Sequence, residues 1–459
     1  MGEKLSLEKY NALDLAATDM IFRRMSQEGA LEGSAFDHAM LGPAMTMGLR
    51  GIRIDERRRN HLIVECLAEA GRHWEVLRKA GLQRGQSIAP SAIALQGLLY
   101  GKMHCPVQFS REGAPTCGRE ALQAILEHQK TPEEAVPIVQ AALELRRLEE
   151  DRKVLSKSLG ADGRMHTGFG VAATVTSRWS SSRDPFNEGA NLHALSRRVR
   201  QVFIPDPGYV FWNFDLRQAE SYCVAHLAES QWYIDAHNSG NVHALVGGKI
   251  WPEQFKKGAK SAKASPLPWA PDSSYYDLAK RTQHGFNYML GAAGFARQSK
   301  MPKADAAELR EDYFALVPEI RAWHRWVANE LKTKHKLWTP MGRSRTFLGR
   351  PWEDCVLREA VAFVPQSTIS DINKIILWRI WRLLEPRGVQ VLLEVHDSVL
   401  CQIPEANLDA AREAFALTRV EVPVGDRLMV IAEESARGQN WGGYDAERNP
   451  GGLKEFQLY

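Results

Sequence analysis

The pattern of hydrophobic and polar positions predicts two strand regions, each with an aspartate at a strand end. The stretch 212–220, with Tyr209 and Phe211 just before it, is rich in the aromatic types that favour strands until Asp215 ends the apolar run, and a helical pattern follows from 221 to 227. The stretch 389–403 is apolar on both sides of His396-Asp397, which predicts a hairpin with Asp397 at its turn. A lone aspartate of this kind more often caps a helix or closes a turn. Two of them, distant in sequence, are what a two-metal phosphoryl-transfer site needs.

Helical spacing of apolar residues dominates the rest of the chain. It predicts helices over 5–27, 43–50, 56–80 and 91–99, with a short apolar stretch at 52–55. The sequence Thr131-Pro132-Glu133-Glu134 is typical of a helix start. We expect that helix to continue to about residue 159 as a long, charged arm that projects. No internal repeat interrupts this pattern.

Composition narrows the class of protein. A chain of 459 residues is too long for one core, and 44% hydrophobic with 25% charged residues is typical of soluble globular proteins. A basic tract at 146–200 fits a phosphate-backbone track, although such a run is more often a solvated face. The six cysteines show no metal-binding spacing and no long apolar run occurs. We therefore expect reduced thiols, a cytosolic protein and no membrane span.

A series of short motifs then follows in order along the chain. They are Gly163-Arg164-Met165-His166-Thr167, the serine-rich 176–182, Asn191-Leu192, 197–203, 215–227, Asn241-Val242-His243, 279–296, Thr339-Pro340-Met341-Gly342-Arg343, Gln366 and Val395-His396-Asp397. In this order they closely resemble the polymerase domain of family A DNA polymerases, the bacterial DNA polymerase I type. The resemblance covers roughly residues 42 to 445.

The resemblance implies an α/β (α+β) right-hand polymerase fold, with an antiparallel-sheet palm, helical fingers and a helical thumb. Residues 42–459 would form the polymerase domain, preceded by a helical extension at 1–41. The thumb would cover about 56–165, the palm about 166–235 and 351–459, and the fingers about 236–350. Tyr10 to Asp14 faintly resembles the last motif of a proofreading exonuclease, whose earlier acids have no place here. The resemblance therefore implies no exonuclease in this chain, and the extension could be a vestige of one.

The chemistry that the resemblance implies is phosphoryl transfer at two metal ions. Asp215 and Asp397, with the Leu216 carbonyl, would hold two Mg²⁺ ions, and Mn²⁺ could substitute. Lys280 would neutralise the triphosphate and protonate the departing pyrophosphate. Glu220 would crowd the sugar 2′ position, and Tyr288 would stack near the templating base and bond Glu220. The implied nucleotide-binding set is Gln218, Glu220, His243, Lys280, His284 and Tyr288.

The same resemblance implies contacts with primer–template DNA. Arg178 and Gln366 would reach the minor groove, where the acceptors are common to all correct pairs. His396 would lie beside the primer terminus. The full implied DNA-binding set is Arg178, Asn191, Arg343, Gln366 and His396.

Three departures from the family pattern affect the nucleotide site. The family usually has an arginine four residues before the helix lysine, and Tyr276 stands there; Arg281 carries a charge but points about 100° away from Lys280. His284 replaces an aromatic residue that packs on the incoming sugar. A neutral His284 ring would pack likewise, a protonated ring would add positive charge near the phosphates, and a purely structural imidazole is the third alternative. Ser398 replaces an auxiliary acid after Asp397.

The expected function is template-directed addition of deoxynucleotides to a primer 3′-hydroxyl. The expected partners are primer–template DNA and dNTP, and a separate exonuclease or processivity factor is a further candidate; we expect a monomer in a bacterial cytoplasm or a phage-infected host. One alternative is a single-subunit RNA polymerase-like enzyme, which Glu220 disfavours. The other is a catalytically silent primer–template-binding module, which the missing helix arginine motivates.

Overall fold

The structure, a computed structural model, describes residues 7–27, 34–110, 112–128, 130–183 and 189–458. The first part is mostly helical: α1 Leu7–Gln27, α2 Ser34–Ala39, α3 Leu41–Arg50, β1 Ile52–Arg53, α4 Glu56–Lys79, α5 Ala92–Gln96 continued by a π-helical stretch at Gly97–Lys102, α6 Arg119–Glu127, α7 Ala135–Leu155, β2 Arg164–Met165, β3 Gly168–Gly170, β4 Ser180–Ser182, α8 Arg197–Arg200 and β5 Tyr209–Leu216. Most of the helices that the sequence predicts in this part of the chain are present, and their ends are shifted by a few residues.

The middle of the chain is a helical region with two small hairpins: α9 Ala219–Leu227, α10 Gln231–Asn238, α11 Val242–Ile250, α12 Ala259–Lys263, β6 Pro266–Leu267, β7 Ala270–Ser274, α13 Tyr275–Asn287, α14 Ala292–Ser299, α15 Lys303–Leu316, α16 Pro318–Lys334, β8 Lys336–Trp338 and β9 Ser344–Thr346. The last part returns to the sheet: α17 Asp354–Leu384 with a 3₁₀ turn at Glu385–Arg387, β10 Gln390–Val395, β11 Ser398–Pro404, α18 Leu408–Leu417, β12 Glu421–Val424, β13 Arg427–Val430, β14 Glu433–Gly438 and β15 Lys454–Glu455.

A five-stranded antiparallel sheet forms the predicted palm. Its strand order is β10-β11-β5-β14-β15, so the aromatic strand β5 lies at the centre. Alternation along β5 sends Val210, Trp212 and Phe214 into a core shared with α9 and α17, and sends Phe211 into a second core shared with α4 and α7. Asp215 lies on the face of Phe211 by the same period of two. The sheet is therefore covered on both faces, and Asp215 lies near the end of its central strand.

Helix α7, predicted to run from 131 to about 159 as a projecting arm, is shorter and is packed into the core. It begins at Ala135 and ends at Leu155, and Ile138, Ala142 and Leu145 are buried on one face against α4. Its start is later because the Thr131 hydroxyl donates to the Ile125 carbonyl of the preceding helix instead of capping α7. The helix is therefore part of the core that α4 and α7 share with Phe211 of the sheet.

Several arginines of the basic tract at 146–200 form ion pairs within the protein. Arg147 pairs with Glu144 at 2.8 Å, Arg152 with Glu149 at 3.0 Å, and Arg198 with Glu69 at 2.7 Å. Arg164 pairs with Asp206. These four arginines have carboxylate partners and do not form an unpaired phosphate track.

The N-terminal segment is joined to the sheet region through one buried charge cluster. Asp37 of α2 accepts hydrogen bonds from Lys374 at 2.7 Å and from Arg343 at 2.9 and 3.0 Å. Lys374 is fully buried and also donates to the Ser177 hydroxyl at 2.7 Å. Helix α1, by contrast, exposes Leu15 and Met20. The predicted extension therefore reaches the sheet region through Asp37, and its Met40 is buried in the core shared with β5.

No helix in the described ranges is long and apolar enough to cross a membrane. All six cysteines are free thiols, and all but Cys355 are buried.

Candidate active site

The two strand-end aspartates predicted from sequence lie on neighbouring strands. Asp215 pairs in register with Ser398 of β11 on one side and Glu434 of β14 on the other. Asp397 occupies the β10–β11 turn, where His396 adopts a left-handed φ of 61°. The Leu216 amide donates to the Asp397 carbonyl at 3.1 Å, which ties the turn to the end of β5. The predicted hairpin is confirmed, and it brings the two residues together.

Both carboxylates lie where the charged form is disfavoured. Burial raises the pKa of Asp215 to about 7, and repulsion from Asp397 and Glu434 adds to the shift. Burial likewise raises the pKa of Asp397, and the Glu220 charge contributes. Among the described residues neither aspartate has an ion-pair partner within 4.0 Å. Two half-buried, unneutralised carboxylates are a donor set that suits hard divalent cations.

A third carboxylate, Glu434, was missed from the sequence. It lies directly across from Asp215 on β14 and pairs with Arg217 at 2.5 Å. Ser398, which replaces the family's auxiliary acid, instead donates its hydroxyl to the Val395 carbonyl at 3.0 Å. Glu434 therefore lies on the side of Asp215 opposite to Ser398. The acidic pair Glu433-Glu434 was the available signal, but only strand register shows which residue faces Asp215.

Glu394 is a second acidic residue near Asp397 that was not predicted from the sequence. It is buried in β10, three residues before Asp397, and accepts a hydrogen bond from Asn373 at 2.8 Å. Burial raises its pKa to about 8, so it is mostly neutral at pH 7. A single acid inside the apolar run 389–395 was the visible signal.

Glu220 links three of the predicted site residues. The turn from β5 into α9 passes through Gln218, half-buried with a left-handed φ of 50°, and places Glu220 in the first turn of the helix. Glu220 accepts a hydrogen bond from the Tyr288 hydroxyl at 2.5 Å, the bond that the resemblance implies. Its other oxygen accepts from Arg178, so this predicted DNA-binding side chain has an internal partner.

Helix α13 presents the predicted nucleotide-binding face of the fingers. A capping box between Ser274 and Asp277 fixes its start, and it ends one residue before Tyr288. Lys280 and His284 are exposed on this helix, and the His284 ring meets Tyr288 edge-on at 5.2 Å. These residues share one side of the helix, as their spacing predicts.

His243 occupies a different environment from the exposed residues of α13. It is buried against Tyr276, with ring centroids 6.0 Å apart. Burial lowers the pKa of His243 to about 4, and the Lys280 charge adds to the shift. His243 is therefore neutral and packs behind the fingers helix.

The predicted DNA-binding residues differ in their exposure and in their internal hydrogen-bond partners. His396 is exposed at the hairpin turn, Gln366 is half-buried on α17, and Asn191 is exposed with its side-chain oxygen accepting from the His193 amide at 3.0 Å. Arg343 is different, because Asp371 and Asp37 occupy its guanidinium and raise its pKa. Any DNA contact by Arg343 would have to form beside these two ion pairs.

Comparison with known proteins identifies the family. The model of DNA polymerase family A matches residues 75–442, which is most of the chain. The chain belongs to DNA polymerase family A. Among family A relatives, the thermostable DNA polymerase I of Thermus thermophilus is 27% identical over 409 residues, covering 86% of this chain and 46% of the relative. DNA polymerase I of Deinococcus radiodurans is 28% identical over 359 residues, covering 76% and 35%. The chain thus spans about half the length, or less, of these curated family A relatives.

The fold agrees with that of a family A polymerase domain. The POL domain of Pol1 from M. smegmatis, solved in complex with DNA primer-template and dNTP, superimposes with a TM-score of 0.75. The match covers 95% of this chain and 75% of that chain at 23% sequence identity. The chain therefore has the right-hand polymerase fold predicted from its motifs.

Proposed function

We propose that this chain is a template-directed DNA polymerase, in which a primer 3′-hydroxyl attacks the α-phosphate of a deoxynucleoside triphosphate and releases pyrophosphate. The observation that carries the proposal is that Asp215 and Asp397 lie close enough to repel each other. Two half-buried carboxylates with raised pKa values lie close together where β5 ends beside the β10–β11 turn, without a cationic partner among the described side chains. Family membership and the relatives' names support the same reaction.

The donor set fits two Mg²⁺ ions. Asp215 and Asp397 would hold them, with the Leu216 carbonyl as a further ligand. When bound, such ions lower the pKa of the attacking hydroxyl and neutralise phosphate charge. The raised carboxylate pKa values are consistent with this role, because a divalent cation relieves the repulsion that burial intensifies.

The remaining residues orient the substrate and move one proton. The exposed ammonium of Lys280 would contact the triphosphate and supply a proton to the departing pyrophosphate oxygen. Glu220, held by Tyr288 and Arg178, would occupy the space that a ribose 2′-hydroxyl needs. His396 and Arg178 would lie along the primer–template, and engagement of Arg178 by DNA requires that its bond to Glu220 open.

Primer extension with dNTPs and, separately, with NTPs tests this proposal. We expect extension with dNTPs and Mg²⁺, little with NTPs, and none with EDTA. Asp397→Ala should lose more than about tenfold in kcat, which corresponds to about 1.4 kcal/mol. Its primer–template affinity should stay within a few-fold of wild type, because phosphate contacts dominate DNA binding.

Two results would point elsewhere. Faster extension with NTPs than with dNTPs would identify an RNA polymerase-like enzyme. Tight primer–template binding without extension by the wild type would identify a silent binding module, the alternative that Tyr276 at the family's arginine position favours.

A further inference from the structure

Lys263, a lysine outside the predicted site, lies against helix α13 beside Tyr276. Tyr276 occupies the position where the family usually has an arginine. Lys263, the last residue of α12, places its ammonium 4.8 Å from the centroid of the Tyr276 ring. Tyr276 lies four residues before Lys280 on α13, so the two side chains are neighbours on one side of that helix. Lys263 therefore brings a positive charge to the helix surface beside Lys280 from a separate element.

The backbone that carries Lys263 is anchored to α13. Ala262 and Ala279 are fully buried in one small cluster with Phe255. Lys263 follows Ala262, and Lys280 follows Ala279, so each lysine adjoins the same helix–helix contact. The Tyr275 amide also donates to the Ser265 carbonyl at 3.1 Å, just beyond α12. This packing holds Lys263 close to the Lys280 side of α13.

The ammonium of Lys263 is available to an anion. It lies over an aromatic face, and it has no carboxylate partner within 4.0 Å in the part of the chain that the structure describes. The ring beneath it is held by a 3.4 Å hydrogen bond from the Tyr276 hydroxyl to Asn241 and by edge contact with His243. The other nearby cation, Arg281, instead donates to the Ser273 hydroxyl at 3.1 Å.

We propose that Lys263 is a second phosphate-binding cation of the nucleotide site and acts with Lys280 on the triphosphate. The inference rests on the proposed function for its ligand. A triphosphate and its pyrophosphate product carry several negative charges, which one ammonium neutralises only in part. A charge-assisted hydrogen bond contributes enough to change affinity by about tenfold or more. Tyr276 orients Lys263 through its ring, while Lys263 touches the phosphates.

The test is pyrophosphate binding by titration calorimetry in Mg²⁺, together with the KM for dNTP. Lys263→Met keeps the aliphatic stem over the ring and removes the charge. We expect its pyrophosphate Kd and its dNTP KM to rise by about tenfold, with kcat and primer–template affinity changed by less than about threefold. Lys257→Met, at an exposed lysine of the same segment, is the matched control and should stay within about twofold.

Restoring the charge separates phosphate recognition from a packing role. Lys263→Arg should keep most of the affinity, and Tyr276→Arg in the Lys263→Met background should recover it from the helix itself. Unchanged pyrophosphate and dNTP affinities in folded Lys263→Met would overturn the proposal, and so would an equal loss in Lys257→Met. The calorimetric measurement needs no turnover. It therefore decides the role of Lys263 even for a chain that extends no primer, an outcome that would count against the proposed function alone.

Discussion

At the residue scale, Asp215 and Asp397 could be predicted as candidate site residues from the local sequence pattern alone. An aspartate that ends an aromatic strand, and another between two apolar strands, were identifiable from the sequence because strand and turn preferences are local. The Arg178–Glu220 ion pair was not, since 42 positions separate the partners and only the fold brings them together. Lys263 was missed for the same reason, because its contact with Tyr276 depends on how α12 packs.

At the residue scale we predict that Asp215→Asn stabilises the metal-free protein at pH 8. The folded pKa of about 7 exceeds the ordinary value of 3.8, so the folded state retains a proton that the unfolded state has already released. Wild-type stability therefore falls as pH rises from about 4 to about 7 and stays lower above that range. We expect a gain of about 1–3 kcal/mol for Asn at pH 8 and almost none at pH 4.

Thermal unfolding in EDTA at the two pH values measures this effect. The exposed Asp312→Asn, in the body of α15, is the control and should change stability by less than about 0.5 kcal/mol at either pH. Added Mg²⁺ should reverse the order at pH 8, because it stabilises only the chain that retains both carboxylates. A destabilised Asp215→Asn in EDTA at pH 8 would show that the repulsion between the two carboxylates is compensated in the folded protein.

A second residue-scale prediction concerns sugar selection. Glu220→Ala opens the space beside α9 and removes a hydrogen-bond partner from Tyr288. Ribonucleotide incorporation relative to deoxynucleotide incorporation should rise by about tenfold or more, with some loss of overall rate. Single-nucleotide extension with matched dNTP and NTP measures the ratio. Glu220→Gln is the control, since it keeps the size and the acceptor for Tyr288 and should stay close to wild type. An unchanged ratio in folded Glu220→Ala would place selection elsewhere.

At the element scale, local sequence pattern determines where a strand, turn or helix forms, and packing determines where a helix docks. The β10–β11 hairpin follows from two apolar strands around a polar pair, and the structure places its turn at His396-Asp397 as predicted. Helix α7 differs from the prediction because charged residues on one face concealed an apolar face that packs on α4. The docking of α2 was also invisible, since Asp37 has no local feature that distinguishes it from a surface acid.

The Asp37 cluster yields the element-scale prediction. Asp37→Ala leaves the fully buried Lys374 without its carboxylate, so the free energy of unfolding should fall by about 2–4 kcal/mol. Burial alone would raise the pKa of Asp37, but hydrogen bonds from Arg343 and Lys374 lower it overall. Its stabilisation is therefore complete above the ordinary pKa of 3.8 and is lost as pH falls through the lowered folded value.

Urea unfolding at pH 7 tests the cluster, with Asp14→Ala on the exposed face of α1 as the control. Lys374→Met in the Asp37→Ala background should recover part of the loss, because it removes the unpaired charge. An Asp37→Ala protein as stable as wild type would show that Ser177 and Asp371 suffice to hold Lys374 and Arg343.

At the scale of the whole molecule, the sheet joins parts of the chain that the sequence shows only as separate motifs. Strand β5 pairs with β11 and β14, which follow it by almost two hundred residues or more. No periodicity specifies that pairing, and the order of motifs anticipated it only through resemblance to a family. The register then determines which acid faces Asp215, and for this reason Glu434 emerged from the structure alone.

The last prediction concerns proofreading by the whole chain. An exonuclease of the family's type requires several metal-binding acids together. In the described ranges, the one group of three such ligands within 4.8 Å is Glu69, His73 and Glu144, and Arg147 and Arg198 already pair with Glu69. That group lies between α4 and α7. Glu69 is poorly suited to bind a further cation because its carboxylate already pairs with two arginines. We therefore expect no stepwise shortening of a mismatched primer 3′ end in Mg²⁺ without dNTP, measured on a denaturing gel. Asp397→Ala, in which we expect polymerisation to be silenced, is the matched background. Shortening that persists through further purification and disappears in Asp14→Ala would assign an exonuclease to the N-terminal segment.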